Sequence, residues 1–195
     1  MKFIVGLGNP SEDYKGTRHN IGRDIVEVFG KKFDFNDFVY DKKINANISE
    51  GKIGKEKVVL ILPDTYMNKS GLALKKFITS TKKAADMLVV HDDLDMGIGC
   101  SKIVFNKSSG GHKGVESVIK AIKTESFPRI KIGISPVSAS GKVKKPIGED
   151  AVVKYVLGRF SKKEEEVLKK IKKKTTDSIE MIITSGYLSA MNEFN

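Results

Sequence analysis

Short apolar runs alternate with segments of helical period along this chain, and that alternation constrains its fold more than any single motif. The clearest run is Lys57-Val58-Val59-Leu60-Ile61-Leu62, which reads as a buried strand stopped by Pro63. Residues 2–6 give another, ending in a glycine turn, and Met87–Val90 and Ile103–Phe105 give two more. Arg129–Ile134 alternates apolar and basic residues, as a half-buried strand does. Between these runs the period changes. Ile21, Ile25, Val26 and Phe29 make one helical stripe, starting near Asn20. Leu72, Leu74, Phe77 and Ile78 make a second, with Asn68 or Ser70 placed to cap it. Val115, Val118, Ile119 and Ile122 predict a helix over 112–123. From Ser161 a long amphipathic helix is expected, opened by a capping box with Glu164. Residues 33–50 read as irregular with one strand around Lys43–Ile48, and 106–111 and 136–148 as loops. Strands alternating with helices predict an α/β layer fold. The length of 195 residues, with no repeat or linker, predicts a single domain over 1–195.

Composition narrows the function classes. The chain is 39% hydrophobic and 30% charged, as in globular proteins, and no apolar stretch approaches the roughly 20 residues that span a bilayer. Met1–Gly6 reads as a first strand and not as a signal peptide. The single cysteine, Cys100, cannot form an internal disulfide, which fits a reducing cytoplasm. A net charge of +11 favours a polyanionic partner such as nucleic acid.

There are three histidines, and each follows an apolar run: His19 in Thr17-Arg18-His19-Asn20, His91 before Asp92 and Asp93, and His112 in Gly110-Gly111-His112-Lys113-Gly114. Histidine is the default proton carrier near neutral pH, and ligands of open α/β sheets sit beyond the strand ends. The pattern therefore predicts one enzyme site assembled from distant segments. Gly6-Leu7-Gly8-Asn9-Pro10 sits where a dinucleotide fingerprint would, but it lacks the third glycine, and Pro10 removes an N–H. The glycines read as a tight turn, which leaves an oxidoreductase without its cofactor loop. Asn9 at that turn can donate to and accept from an amide-containing ligand. His19, near a helix start, is placed to be neutral and act as a general base, and one of Asp92, Asp93 and Asp95 can orient it. These histidines and aspartates match no standard zinc or calcium spacing, so no metal and no cofactor are expected. Tyr66 and Asn68, in Pro63-Asp64-Thr65-Tyr66-Met67-Asn68, can stack on a base and grip an amide or phosphate.

Together these segments resemble the bacterial peptidyl-tRNA hydrolase family. The match rests on IVGLGNP with Tyr14 and TRHN, on PDTYMNKSG, on HDDLD, on the GGHKG loop, and on FPRIKIGI with Tyr155–Gly158 and Phe160. The resemblance implies one twisted mixed β-sheet flanked by helices. It also implies hydrolysis of the ester between a peptide, or an N-blocked aminoacyl group, and the 3′ end of tRNA, in a cytoplasmic monomer that does not engage a membrane. By position, His19 corresponds to the family's catalytic base and Asp92 to the residue supporting it. Asn9 corresponds to the asparagine that recognises the peptide and helps reject unblocked aminoacyl-tRNA. Tyr14, Tyr66 and Asn68 match positions that contact the tRNA end or the peptide. The family usually has Asn after the glycine-loop histidine, where this chain has Lys113. An Asn amide donates and accepts, whereas Lys only donates. Lys113 is carried as a substrate-contacting residue, with His91 and His112 read as positioning their neighbours Asp92 and Lys113. Lys102, Lys107, Lys113, Arg129 and Lys131 are candidates to meet tRNA phosphates. The alternative is a non-catalytic RNA-binding relative of the same fold.

Overall fold

The computed structural model describes residues Met1–Asn195. Seven strands form one mixed sheet: β1 (Lys2–Gly6), β2 (Val39–Asp41), β3 (Ala46–Ile53), β4 (Glu56–Pro63), β5 (Met87–Gly97), β6 (Ser101–Phe105) and β7 (Pro128–Ser135). Their order is β2-β3-β4-β1-β5-β7-β6. β1 runs parallel to both its neighbours, β4 and β5, and β5 runs parallel to β7. The remaining pairs, β2–β3, β3–β4 and β6–β7, are antiparallel. The helices are α1 (Ile21–Lys32), α2 (Thr81–Ala84), α3 (Lys113–Ile122), α4 (Glu149–Val156), α5 (Lys162–Ser185) and α6 (Tyr187–Phe194).

The unbroken apolar runs are explained by cover on both faces of the sheet. Ile4, Leu60, Leu62, Leu88 and Val90 point to one side and pack with Ile21, Ile25 and Phe29 of α1 and Leu168, Ile171 and Ile179 of α5. Phe3, Val5, Val59, Ile61, Met87 and Val89 alternate to the other side, against Val115 and Val118 of α3 and Met67 and Leu74. The chain leaves β1 for β4 on one flank and β5 on the other, so the strand order reverses at β1. That reversal opens a crevice at the carboxyl ends of β1 and β5, where α/β sheets bind ligands.

Four local expectations are corrected. β5 does not stop at Val90 but runs to Gly97, so His91 and Asp92 lie on the strand, opposite Lys131 and Ile132 of β7. The apolar run ends earlier because the strand there passes from the apolar core into a buried polar cluster, His91 and Asp92, while the ladder with β7 continues. The segment after β4 is a 3₁₀ helix over Met67–Leu74, and neither Asn68 nor Ser70 caps it. Packing overrides its helical period: a side chain on Gly71 would lie 2.1 Å from the Ser117 carbonyl oxygen of α3, and the Gly71 N–H donates to Ser117 Oγ at 3.1 Å. The irregular stretch carries two strands, β2 and β3, the second paired with β4 along its length. The last helix breaks at Gly186, whose φ of 87° starts α6.

Candidate active site

His19 sits on a single 3₁₀ turn, Arg18–Asn20, that leads into α1. That turn reaches β5 because α1 begins with a close approach. A Cβ on Gly22 would lie 2.2 Å from the Val90 carbonyl oxygen, so only glycine allows α1 to rest on β5 beside His91 and Asp92. His19 Nδ1 then lies 2.9 and 3.0 Å from the two carboxylate oxygens of Asp92. A carboxylate only accepts, so Nδ1 carries the proton, and Nε2 is left free in the cleft that His19 lines. The Asp92 side chain is 3% exposed and that of His19 14%. Burial works against charge on His19, but the attraction and hydrogen bond of Asp92 outweigh it and raise its proton affinity above that of an ordinary imidazole. Lys113 opposes this as a nearby cation. Burial likewise favours the neutral form of Asp92, yet His19 and His112 hold its carboxyl well below the usual carboxylate range. The helix-start effect expected to keep His19 neutral is thus outweighed by Asp92.

The other two acids of the cluster are committed elsewhere. Asp93 pairs with Lys131, and Asp95 with Lys145 at 2.5 Å. Asp92 also accepts from a second imidazole, with His112 Nε2 at 2.9 Å from Oδ1. His91 is buried beneath it, its Nδ1 donating to the Asp92 carbonyl at 2.7 Å. Burial first, then His112 and Arg129, lowers the proton affinity of His91 well below the ordinary value. His19, Asp92 and His112 present three donor atoms within 4.8 Å of one another, a spacing that a metal could use. Both histidine nitrogens in that set carry the proton they give to Asp92, so the trio reads as a hydrogen-bond network.

Asn9 follows β1 and is buried. Its backbone is held by Asn20, whose Oδ1 accepts from the Asn9 N–H and whose Nδ2 donates to the Asn9 carbonyl, both at 2.9 Å. Asn9 Oδ1 accepts from the Met67 N–H at 2.8 Å, which fixes the amide's orientation. The Nδ2 hydrogens are then the part of Asn9 available to a ligand. Met67 also packs on α3, where a Cβ on Gly114 would meet its sulfur at 2.3 Å. The adjacent Asn68 is exposed and does not line the central cleft. Tyr66 is exposed nearby, and Tyr14, on the 3₁₀ turn Glu12–Tyr14, is half-buried; neither lines the central cleft.

The cleft has a volume of about 160 Å³. His19, Asp92 and Lys113 form its polar wall, and Leu94 with Val152, Val153 and Val156 of α4 forms an apolar one. Lys113 Nζ reaches across the mouth to Glu149 Oε1 at 2.8 Å. The sequence reading missed what Asn20, Gly22, Met67 and Arg129 do. Asn20 stands in the TRHN motif and was within reach, but close approaches such as that of Gly22 leave no signal beyond a glycine in a helical pattern. Arg129 is a correction: it is buried, and its Nη2 donates to the carbonyls of Lys107 and Ser108 at 2.6 and 2.9 Å, so it anchors the glycine loop and does not face a phosphate.

Comparison with known proteins places this arrangement. The profile of the peptidyl-tRNA hydrolase family matches residues 3–195. Peptidyl-tRNA hydrolase of Clostridium novyi (strain NT) is 37% identical over 196 aligned positions, covering 100% of this chain and 98% of the relative. That of Clostridium botulinum (strain Alaska E43 / Type E3) is 38% identical, covering 100% and 96%. The crystal structure of peptidyl-tRNA hydrolase from Acinetobacter baumannii superposes with a TM-score of 0.88 at 30% identity, covering 100% of this chain and 94% of that one. The α/β sheet, the position of the crevice and these full-length matches agree, and the chain belongs to the peptidyl-tRNA hydrolases, a family of hydrolase enzymes.

Proposed function

We propose that this chain hydrolyses the ester joining a peptide, or an N-blocked aminoacyl group, to the 3′ end of tRNA, and so returns tRNA for reuse. The observation that carries this reading is the buried His19–Asp92 pair with Nε2 of His19 free in the cleft. In the proposed reaction, His19 Nε2 takes a proton as water attacks the ester carbonyl carbon, and Asp92 stabilises the imidazolium. The tetrahedral intermediate expels the ribose oxygen, which recovers that proton from His19. The products are a free carboxylic acid and tRNA with its terminal hydroxyl. Asn68 or Lys113 would face the developing oxyanion. Asn9 would offer its Nδ2 hydrogens to a peptide carbonyl, and the valines of α4 suit the peptide's apolar side chains. The exposed Lys113–Glu149 pair is worth little, which leaves Lys113 available to negative charge on the substrate. Exposed Lys102 and Lys107 suit sequence-independent phosphate contacts, as does the +11 charge. Tyr14 and Tyr66 would contact the tRNA end. The reading takes residues 1–195 as one catalytic domain, acting as a monomer in the cytoplasm without cofactor; no helix is long and apolar enough to cross a membrane.

The test is incubation with N-acetylated and unblocked aminoacyl-tRNA side by side. Release of the acyl group from the blocked substrate alone is expected. Binding without release would instead establish the non-catalytic RNA-binding alternative.

Two further results are expected. Gly22→Ala should move the His19 turn away from Asp92 and lower kcat/KM by about 10–10²-fold, because displacements of about 1 Å cost that much in positioned catalysis. An unchanged kcat/KM would show that the close approach does not set the pair. The second concerns pH. His19 must be neutral to accept a proton, and its proton affinity is raised, so kcat/KM should fall with decreasing pH along a limb lying above the ordinary imidazole value of about 6.5. Lys113→Asn removes a cation that lowers the proton affinity of His19 and should move that limb higher still. A limb below that of an ordinary imidazole, or a downward move in the variant, would contradict the assignment.

A further inference from the structure

The hydrogen bonds of His112 determine which of its nitrogens carries the proton. His112 is the N-cap of α3, and its Nδ1 lies 3.1 Å from the Gly114 N–H and 3.2 Å from the Val115 N–H. Both partners are donors, so Nδ1 must be an unprotonated acceptor. A neutral imidazole then carries its hydrogen on Nε2. That nitrogen lies 2.9 Å from Asp92 Oδ1, an acceptor with its side chain 3% exposed. We infer that His112 is a positioning residue for the reaction: capping α3 fixes its ring as an Nε2–H donor, and that donor shares Asp92 Oδ1 with His19 Nδ1. This rests on the hydrolase reading proposed above.

This sharing has two consequences. Asp92 is held from both sides and cannot rotate away from His19. It also answers two donors at once, so its pull on the His19 proton is weaker than in a simple His–Asp pair, and His19 gives its proton up more readily to the leaving ribose oxygen. The arrangement links the base to the glycine loop, because the ring that holds Asp92 also starts α3 directly after that loop. The loop is tethered in turn by Arg129 through the carbonyls of Lys107 and Ser108.

The surroundings offer no substitute for this donor. The His19 ring lies 5.1 Å from that of His112, and the His91 ring 4.8 Å away, edge-on, with its own donor committed to a backbone carbonyl. From β7, Arg129 faces the glycine-loop carbonyls and Lys131 pairs with Asp93. From α3 and α4, Lys113 and Glu149 pair with each other at the mouth, and Lys145 holds Asp95. His112 is the one neighbour that shares Asp92 with His19.

The experiment uses the full chain and its three histidines, labelled with ¹⁵N and assigned through single variants. Long-range ¹H–¹⁵N correlation, at a pH above the His19 titration, reads the tautomer directly. His112 should show an unprotonated Nδ1 and a protonated Nε2, and His19 the reverse. A wild-type His112 protonated at Nδ1 overturns the proposal whether or not any variant folds. The second arm is His112→Asn beside His112→Ala. Asparagine is among the preferred N-cap residues, so it keeps the cap of α3, but its amide is too short to reach Asp92 while capping. His112→Asn should melt near the wild type and His112→Ala lower. In His112→Asn the His19 titration, followed by NMR, should move up by about one unit, a tenfold gain in proton affinity. The acid limb of the kcat/KM profile should move with it. An unmoved His19 titration in a folded His112→Asn overturns the proposal and leaves His112 a helix cap only. The tautomer and the His19 titration are read without substrate, so failure of the hydrolase reading shows separately, as absent acyl release.

Discussion

Asp92→Asn should lower kcat by up to about 10⁴-fold, the loss that the same change causes in a Ser–His–Asp triad, where the wrong imidazole tautomer results. The geometry here disfavours the productive tautomer. His112 Nε2–H must still find an acceptor at 2.9 Å, and the new amide oxygen is the one group that can provide it. The amide NH₂ then takes the place of Oδ2, 3.0 Å from His19 Nδ1, where it can only donate and so opposes a hydrogen on Nδ1. A His19 that shifts its hydrogen to Nε2, facing the cleft, can no longer take a proton from water. The loss of negative charge adds to this, since the imidazolium has no other carboxylate beside it. Asp93 and Asp95 cannot replace Asp92, being paired with Lys131 and Lys145. Steady-state kinetics on a blocked aminoacyl-tRNA checks this, and a variant within tenfold of the wild type would remove Asp92 from its role.

His19→Ala should lower turnover by about 10²–10⁴-fold, the contribution of a general base. The affinity for tRNA should stay within about twofold, because phosphate contacts from lysines carry most sequence-independent binding. The substitution removes the imidazole from a largely buried turn whose backbone is set by other contacts. The Arg18 N–H donates to the Gly158 carbonyl at 3.0 Å, and the Arg18 guanidinium is held by Glu164 at 3.0 Å and stacks over Tyr155 at 4.5 Å. The fold around the site should therefore persist, and the thermal transition should move little. Equal losses in kcat and in tRNA affinity would instead make His19 a binding residue.

The sequence was most legible where a single element decides the outcome. The run ending at Pro63 and the stripe of α3 are local patterns, and both form as expected because each has one face or two faces to bury. The capping box of Ser161 and Glu164 forms for the same reason, through two bonds between near neighbours. It was least legible where two distant backbones meet. Nothing local to Leu72–Ile78 reports that Gly71 lies against Ser117, and that contact turns an expected helix into a 3₁₀ segment. The site follows the same division. His19 and Asp92 stand in motifs whose residue types fit acid–base chemistry, Asn9 in one that fits amide recognition, and resemblance aligned them. The roles of Asn20, Gly22 and Met67 depend on β1, α1 and the 3₁₀ helix being brought together, which no spacing encodes. Arg129 read as a surface cation because alternation along β7 cannot show that the glycine loop folds back over it.

Single-turnover hydrolysis of N-acetyl-aminoacyl-tRNA, with enzyme in excess and tRNA binding measured on the same preparations, tests the His19–Asp92 assignment most directly. The wild type should release the acyl group completely, while His19→Ala and Asp92→Asn should bind the substrate and release almost none. Release by His19→Ala at a rate near that of the wild type would contradict the account.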